Sequence, residues 1–391
     1  MTALRPTTSG ELAEAIARAA ADGTALEIRG GGSKAAFGAG RDAAILDMRA
    51  FAGVVDYDPP ELVLTVKPGT PLAEVEALVE AQGQMLAFEP WDHGPLFGQP
   101  EGDATIGGAV AAGVSGPRRL TAGGARDHLL GFAGVSGRGE AFVAGAKVVK
   151  NVTGYDLPKL MAGSWGRLAA MTELTLKVLP RPRTQATMVI EGLTDAQAHA
   201  AMARAMGSPA EVCAAAHLPA AVNDGRAVTA LRLQGFEPSV AARCVSLPDV
   251  LIDHGVARTI DTVEADRLWD RVRGVAPLAD AAVLWRVNVP PTGGCAVARA
   301  LEPLGARWYF DWAGGLVWMG FDGDPEQVRA AAAEAGGHAM LVRAPAELRA
   351  VTPFQHPRAS GVAALEARVR RAFDPKGVFE TGRFLDEAHA D

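Results

Sequence analysis

Leu26-Glu-Ile-Arg-Gly-Gly-Gly-Ser-Lys34 reads as a short apolar strand that runs directly into three consecutive glycines. Successive main-chain amides in such a turn are able to point at one anion. Ser33 adds a hydroxyl, and Arg29 or Lys34 adds positive charge, so a phosphate group suits the loop. Taken alone, the triple glycine reads as a flexible solvent loop. It does not stand alone.

A second small-residue cluster, Gly102-Asp-Ala-Thr-Ile-Gly-Gly-Ala-Val-Ala-Ala-Gly-Val-Ser-Gly116, offers Thr105, Ser115 and its glycine amides as hydrogen-bonding groups. Gly107, Gly108, Ala111, Ala112 and Gly113 equally permit close packing of one element on another. A third segment, Lys147 to Pro180, is punctuated by Gly154, Gly163 and Gly166 and fits neither one helix nor one strand. From Met171 to Leu179 it alternates as a strand closed by Pro180. Three glycine-rich stretches suit a large flat ligand lying against main chain.

Arg29-Gly-Gly-Gly-Ser33, Lys67-Pro-Gly69, Ala104-Thr-Ile-Gly-Gly108, Arg126-Asp127 and Gly154-Tyr-Asp156 fall in an order that resembles the flavin domain of the vanillyl-alcohol oxidase and p-cresol methylhydroxylase superfamily. Further on, Leu284-Trp-Arg-Val-Asn-Val-Pro-Pro-Thr292, Tyr309-Phe-Asp-Trp-Ala-Gly-Gly-Leu-Val-Trp318 and Phe373-Asp-Pro-Lys-Gly-Val-Phe-Glu-Thr-Gly-Arg383 are similar to the smaller flavin-binding subunits of bacterial glycolate oxidases. The resemblance implies an α+β chain: a two-subdomain FAD-binding fold of the p-cresol methylhydroxylase type, with a smaller α+β cap domain.

It also implies noncovalent FAD, a 2-hydroxy acid such as glycolate as substrate, and electron transfer to an iron–sulfur partner. A larger FAD-containing catalytic subunit and an iron–sulfur subunit would be the partner chains. A His-x-Gly-Asp-Gly-Asn-x-His segment, which the larger catalytic relatives would carry, is absent here. An accessory or electron-transfer subunit is therefore expected, with a standalone hydroxy-acid oxidase and a scaffold without cofactor as the alternatives.

Other chemistries lack their residues. Gly30-Gly-Gly32 is followed by Ser33, Lys34 and Ala35 where a dinucleotide loop needs a third glycine, and no glycine is followed by Lys and then Ser or Thr. Ala162-Gly-Ser-Trp-Gly166 departs from a nucleophile elbow at its first position. Cys213, Cys244 and Cys295 are too dispersed for a disulfide framework or an iron–sulfur cluster, and the eight histidines never pair at i, i+4, so no metal is expected.

A net charge of −7 argues against nucleic acid. No apolar run reaches the length of a membrane span, and the N-terminus lacks a signal-peptide core. The expected location is cytoplasmic, at a membrane only through partners.

With 391 residues and 49% apolar content, two domains are expected. Pro180-Arg-Pro-Arg183 marks the boundary. The reading is residues 1–183 for FAD, 184–348 for the cap, and 349–391 returning to the FAD domain. Helices are expected over Glu11–Ala21, from Pro71 to Gly83 and over Asp195–Met206, with βα alternation near the N-terminus. A hairpin is expected through Gly137-Arg-Gly139. Alanine richness elsewhere is read as helix preference.

The candidate cofactor residues are Arg29, Gly30, Gly31, Gly32, Ser33, Lys34, Pro68, Gly69, Ala104, Thr105, Gly107, Gly108, Ser115, Gly116, Lys150, Asn151, Gly154, Tyr155 and Arg383. Tyr155 is either a flavin neighbour or a packed aromatic. Arg167 is expected in solvent. Glu380 stands where the family carries an uncharged residue, and its carboxylate would repel phosphate or tune the ring. His93 and His128 are satisfied or exposed rather than covalent anchors. Arg286 is the candidate ligand for a substrate carboxylate, with an interdomain salt bridge as its alternative.

Overall fold

The computed structural model describes residues 3–146 and 155–385. The chain gathers into two compact units. The first is built from Met1–Gly116, Gly123–Arg181 and Pro357–Asp391, the second from Pro117–Ala122 and Pro182–His356.

In the first unit, the helix Ser9–Asp22 begins where the Thr8 side chain accepts from the Glu11 amide and ends at left-handed Gly23. Leu12, Ile16 and Ala19 form its buried stripe. They meet β1 (Leu26–Arg29) and β2 (Ala44–Asp47), which pair in parallel. Residues 30–43, including the triple glycine, make the long connection that a parallel pair requires. Val378 and Phe379, near the C-terminus, complete this small core.

The expected βα alternation stops there. Strands β3 (Val54–Asp58) and β4 (Val63–Val66) are joined by a four-residue turn, which permits only an antiparallel pair. After the helix Leu72–Glu80, β5 (Gln84–Met85) leads through loops to the short helix Ile106–Ala111. The hairpin through Gly137–Gly139 forms as β6 (Leu129–Ser136) and β7 (Ala141–Gly145). Next come β8 (Ala169–Lys177) and β9 (Leu179–Pro180).

The five-stranded sheet runs β3-β4-β8-β6-β7, antiparallel throughout. At its centre β8 is buried on both faces from Ala169 to Thr172, so alternation was the wrong signature for this strand. Pro180 does not close it. That residue pairs with Gln84 in the separate β5–β9 ladder.

The second unit is one eight-stranded antiparallel sheet of β10 (Thr184–Glu191), β11 (Ala214–Leu218), β12 (Val228–Gly235), β13 (Arg258–Ile260), β14 (Leu284–Asn288), β15 (Arg307–Asp311), β16 (Leu316–Gly320) and β17 (His338–Arg343). Their order is β13-β10-β12-β11-β15-β16-β14-β17. Helices Asp195–Met206, Glu237–Val250, Thr262–Arg273 and Pro325–Glu334 pack against these strands. Ala214-Ala-Ala216 belongs to buried β11 and not to a helix: it pairs with β12, and the helix Asp195–Met206 packs against the strand.

Candidate functional site

A cleft in the first unit collects Glu27 to Ala35, Met48, Pro68, Thr105, Gly107, Gly108, Ala111, Ala112, Trp165, Gly166, Ala169, Met171 and Arg383. The loop leaving β1 forms one wall and the Thr105–Ala112 segment the other. Their approach depends on missing Cβ atoms. A Cβ on Gly31 would lie 1.5 Å from the Asp103 carbonyl oxygen, one on Gly30 2.3 Å from Thr105 Oγ1, and one on Gly107 2.4 Å from Pro68 Cβ. Thr105 also caps its helix, accepting from the Gly108 amide at 3.2 Å.

Among the described residues, none accepts a hydrogen bond from the amides of Gly31, Gly32 or Ser33. Ser33 is buried and Gly31 and Gly32 are half-buried, and donors so withdrawn from water without acceptors in a cleft point to an anion. The surrounding charge agrees. Glu27 accepts from Arg29 and Arg41, both at 2.8 Å. Burial raises its carboxyl, but the Arg29 hydrogen bond and the charges of Arg41, Arg29 and Arg383 hold it below the ordinary range.

Lys34 is buried, and that burial pushes its ammonium down to about 8, with Asp92 opposing and Arg383 assisting. Arg383 donates to the carbonyls of Phe37 at 3.2 Å and of Lys34, and lies 5.0 Å from the Trp165 ring centre. Burial, then repulsion from Arg41, pushes it down to about 9. Three guanidiniums thus act on the Glu27 carboxylate, and the Lys34 ammonium, with Asp92 as its opposing charge, lines the same cleft. The donor set fits the doubly charged pyrophosphate of FAD, and the small-residue wall leaves room for a flat group.

Of the residues expected at a cofactor, Arg29, Gly30, Gly31, Gly32, Ser33, Lys34, Pro68, Thr105, Gly107, Gly108 and Arg383 line this cleft. Gly69, Ala104, Ser115 and Gly116 do not. Gly69 packs where a Cβ would meet the Met48 carbonyl oxygen at 2.3 Å, and Gly116 donates to the Phe88 carbonyl. Ala104 is bound instead to the Asp92 carboxylate and the Leu72 amide, and Ser115 is buried. Tyr155 is 94% exposed, which contradicts the packed-aromatic reading; it precedes the Asp156 cap of helix Leu157–Met161 and does not line the cleft. Lys150, Asn151 and Gly154 lie outside the described residues.

Arg167 corrects the expectation of a solvated charge. It is buried, paired with Glu380 at 2.6 Å and stacked 4.1 Å from the Phe384 ring centre. Arg370 also holds Glu380, at 3.0 Å. The carboxylate expected to repel phosphate or tune the ring is occupied by two guanidiniums. His93 stacks on Trp91 at 3.6 Å, and His128 contacts the Lys177 carbonyl at 3.2 Å; both are buried and neither lines the cleft. Arg286 belongs to the second unit, in β14, and makes no ion pair among the described residues.

Glu27, Met48, Trp165 and Met171 line the cleft without having been read from the sequence. Glu27 had a signal, since two residues along a strand share a face with Arg29. Trp165 sits at φ 57°, between glycines at 83° and 77°, a strained placement that sequence could not show.

A family described as an FAD binding domain matches residues 2–145. The glycolate oxidase subunit GlcE of Escherichia coli (strain K12) is 33% identical over 381 residues, 97% of this chain and 98% of that protein. The chain belongs to the GlcE family. Two other relatives match along a smaller part of this GlcE-family chain. The D-lactate dehydrogenase of Anaerostipes hadrus is 37% identical over 36% of this chain and 28% of its own length. For the glycolate oxidase subunit GlcD of Bacillus subtilis (strain 168), identity is 33% over 35% of this chain and 27% of that protein.

Among solved structures, p-cresol methylhydroxylase with substrate bound superposes with a TM-score of 0.71 at 14% identity, over 97% of this chain and 88% of that one. An alkyldihydroxyacetonephosphate synthase reaches 0.64 at 15%, over 96% and 76%. These likenesses establish the α+β fold, and the family makes the chain an FAD-binding oxidoreductase component.

Proposed function

We propose that this chain is the FAD-binding subunit of a glycolate oxidase complex that converts a 2-hydroxy acid to the 2-oxo acid beside a larger flavoprotein and an iron–sulfur chain. The observation that carries the reading is the match to GlcE along nearly the whole of both chains, joined to a basic, glycine-walled cleft. Bound FAD supplies a two-electron acceptor that returns electrons one at a time. The protein's own work is positioning.

The amides of Gly31, Gly32 and Ser33 hold the pyrophosphate, and Lys34, Arg29 and Arg383 balance its charge. Fixed main-chain donors need little reorganisation when the anion arrives. No histidine or cysteine lines the cleft among the described residues, which supports a noncovalent cofactor. Arg286 meets the carboxylate of the acid, because a guanidinium offers paired donors to a planar anion.

An absorbance spectrum of the purified chain, followed by anaerobic glycolate and D-lactate, tests this. The expected result is a flavin spectrum that persists in the isolated chain and bleaches once the larger subunit is added. Bleaching by the chain alone would make it an independent oxidase. A colourless chain that still assembles would make it a scaffold.

A further inference from the structure

The second unit holds a buried group of polar side chains that the flavin cleft does not use. Asp195 opens the helix Asp195–Met206, and His199 follows one turn later on the same face. The Asp195 carboxylate accepts from Trp308 Nε1 of β15 at 2.8 Å, and its other oxygen lies 3.3 Å from His217 Nε2 of β11. His217 is fully buried, and its Nδ1 meets Thr229 Oγ1 of β12 at 2.9 Å. Both imidazoles lie beside Phe310, His199 with its ring centre at 5.4 Å and His217 at 6.2 Å.

From its helix the His199 ring reaches the turn between β15 and β16. Trp312, Ala313 and Gly314 run there at φ 52°, 52° and 95°. A Cβ on Gly314 would lie 1.7 Å from His199 Nε2, so the imidazole fills the notch that the missing side chain leaves. Gly294, at the start of helix Gly294–Leu301, borders the same notch, since its Cβ would stand 3.3 Å from that nitrogen. Consecutive non-glycine residues in the left-handed region are costly and persist only where their surroundings hold them. Here Asp311 accepts from the Trp312 amide at 2.7 Å, and the Gly315 amide donates to the Trp312 carbonyl at 2.9 Å. The His199 ring adds its packing to these two bonds.

Among the described residues, His199 Nε2 is enclosed and has no hydrogen-bond partner. A neutral ring with its proton on Nδ1 fits such a place. An N–H at Nε2 would face the Gly314 backbone without an acceptor, and a cation would add the cost of its own burial. Burial holds the ring below the ordinary histidine range; the Asp195 charge opposes that shift and the His217 charge adds to it. Cys295, on helix Gly294–Leu301, donates from Sγ to the Asp195 carbonyl at 3.4 Å. Burial and Asp195 push its thiol up to about 11, against Arg299, so it stays neutral.

We propose that His199 is an acid-released latch on the Trp312–Gly314 turn. The neutral imidazole wedges the turn in its left-handed course. A proton arriving at Nε2 finds no acceptor, the ring withdraws from the notch, and the turn relaxes. That turn carries Trp312, whose ring centre lies 5.2 Å from the guanidinium carbons of Arg119 and of Arg286, so acid moves an indole away from two arginines. The latch lies wholly within the second unit and works whether or not the first holds flavin.

A withdrawn ring takes up its proton near the ordinary value of 6.5, above that of the wedged ring. The latch therefore holds above about pH 6.5, and opening of the turn rises by up to about tenfold per pH unit below it. Hydrogen–deuterium exchange of the purified full chain at about pH 7.5 and about pH 5.5 tests this, with labelling times scaled to the intrinsic chemical rate. Protection of peptides covering Trp312–Leu316 should fall by up to about tenfold at the lower pH, while peptides of β12 keep theirs. His199→Gln, which takes no proton in this range, should show the same turn protection at both. Asp195→Asn keeps an acceptor for Trp308 and removes the charge that favours the proton, so it should move the onset to lower pH; it reads the latch even where His199→Gln does not fold.

A turn unprotected at about pH 7.5, protection that does not change with pH, an equal fall in His199→Gln, or an onset unmoved in Asp195→Asn would overturn the proposal. So would loss of protection in β12 together with the turn, which is ordinary acid unfolding.

Discussion

At the triple glycine, three adjacent residues do different work. A Cβ on Gly31 would lie 1.5 Å from the Asp103 carbonyl oxygen, a backbone atom that cannot swing aside. Gly32 sits at φ 87°, and its Cβ would find only the Arg29 side chain, at 3.7 Å. Gly31→Ala should therefore force the two walls apart, cost about 3 kcal/mol or more, and leave the purified chain without flavin. Gly32→Ala should cost only about 1–2 kcal/mol of backbone strain and retain part of its flavin. Equal flavin occupancy in the two variants would remove the Gly31–Asp103 contact from the argument. The triple glycine was legible in the sequence, but which glycine matters is decided by Asp103, far along the chain.

Lys34 gives a pH dependence with a definite sign. Its ammonium is pushed from 10.5 to about 8, so between those values the unfolded chain binds a proton that the folded chain has released. Stability without cofactor then rises with pH across that window. An anion beside Lys34 reverses the shift, so FAD binding above about pH 8 takes up a proton, and affinity falls by up to about tenfold per pH unit. Arg383, at about 9, steepens the fall at higher pH. Fluorescence of released flavin should show this slope in the unaltered chain, and Lys34→Met should flatten its onset while weakening binding at neutral pH. A slope unchanged in that variant would exclude Lys34.

Between elements, Glu380 ties the entry of β8 to the helix Ser360–Phe373. It meets Arg167, just before β8, at 2.6 Å, and Arg370, on that helix, at 3.0 Å. Arg167 is buried, so Glu380→Gln would remove the carboxylate charge that it shares with Arg370. Removing one partner of a fully buried pair costs about 3–5 kcal/mol. Glu380 is 31% exposed, and water reduces the loss to about 1–2 kcal/mol. A lowered urea midpoint with unchanged slope is expected. Helix Asp195–Met206 and the Gly137–Gly139 hairpin were legible because their signals are local. The eight-strand order, the Arg167–Glu380 pair and alanine-rich β11 were not, because each depends on a partner distant in sequence.

Across the whole molecule, the first unit is assembled from three separate segments, the last being Pro357–Asp391. That segment supplies Val378 and Phe379 to the core beneath β1 and β2, and Arg383 to the cleft. Asp374 fixes it, accepting from the Val378 and Phe379 amides at 2.9 and 2.7 Å. The Leu26 amide donates to the Val378 carbonyl at 2.7 Å, so the strand that launches the glycine loop loses a partner when the segment is removed. A chain ending at His356 keeps every residue of the second unit and loses this support. It should purify without flavin, and the first unit should unfold at lower temperature. Added FAD should raise the melting temperature of the full chain in proportion to the logarithm of its concentration and leave the truncated chain unmoved. Flavin retained after truncation would mean that the loop holds the cofactor without Arg383, and the cleft would then be redrawn around residues 27–35 and 105–112 alone.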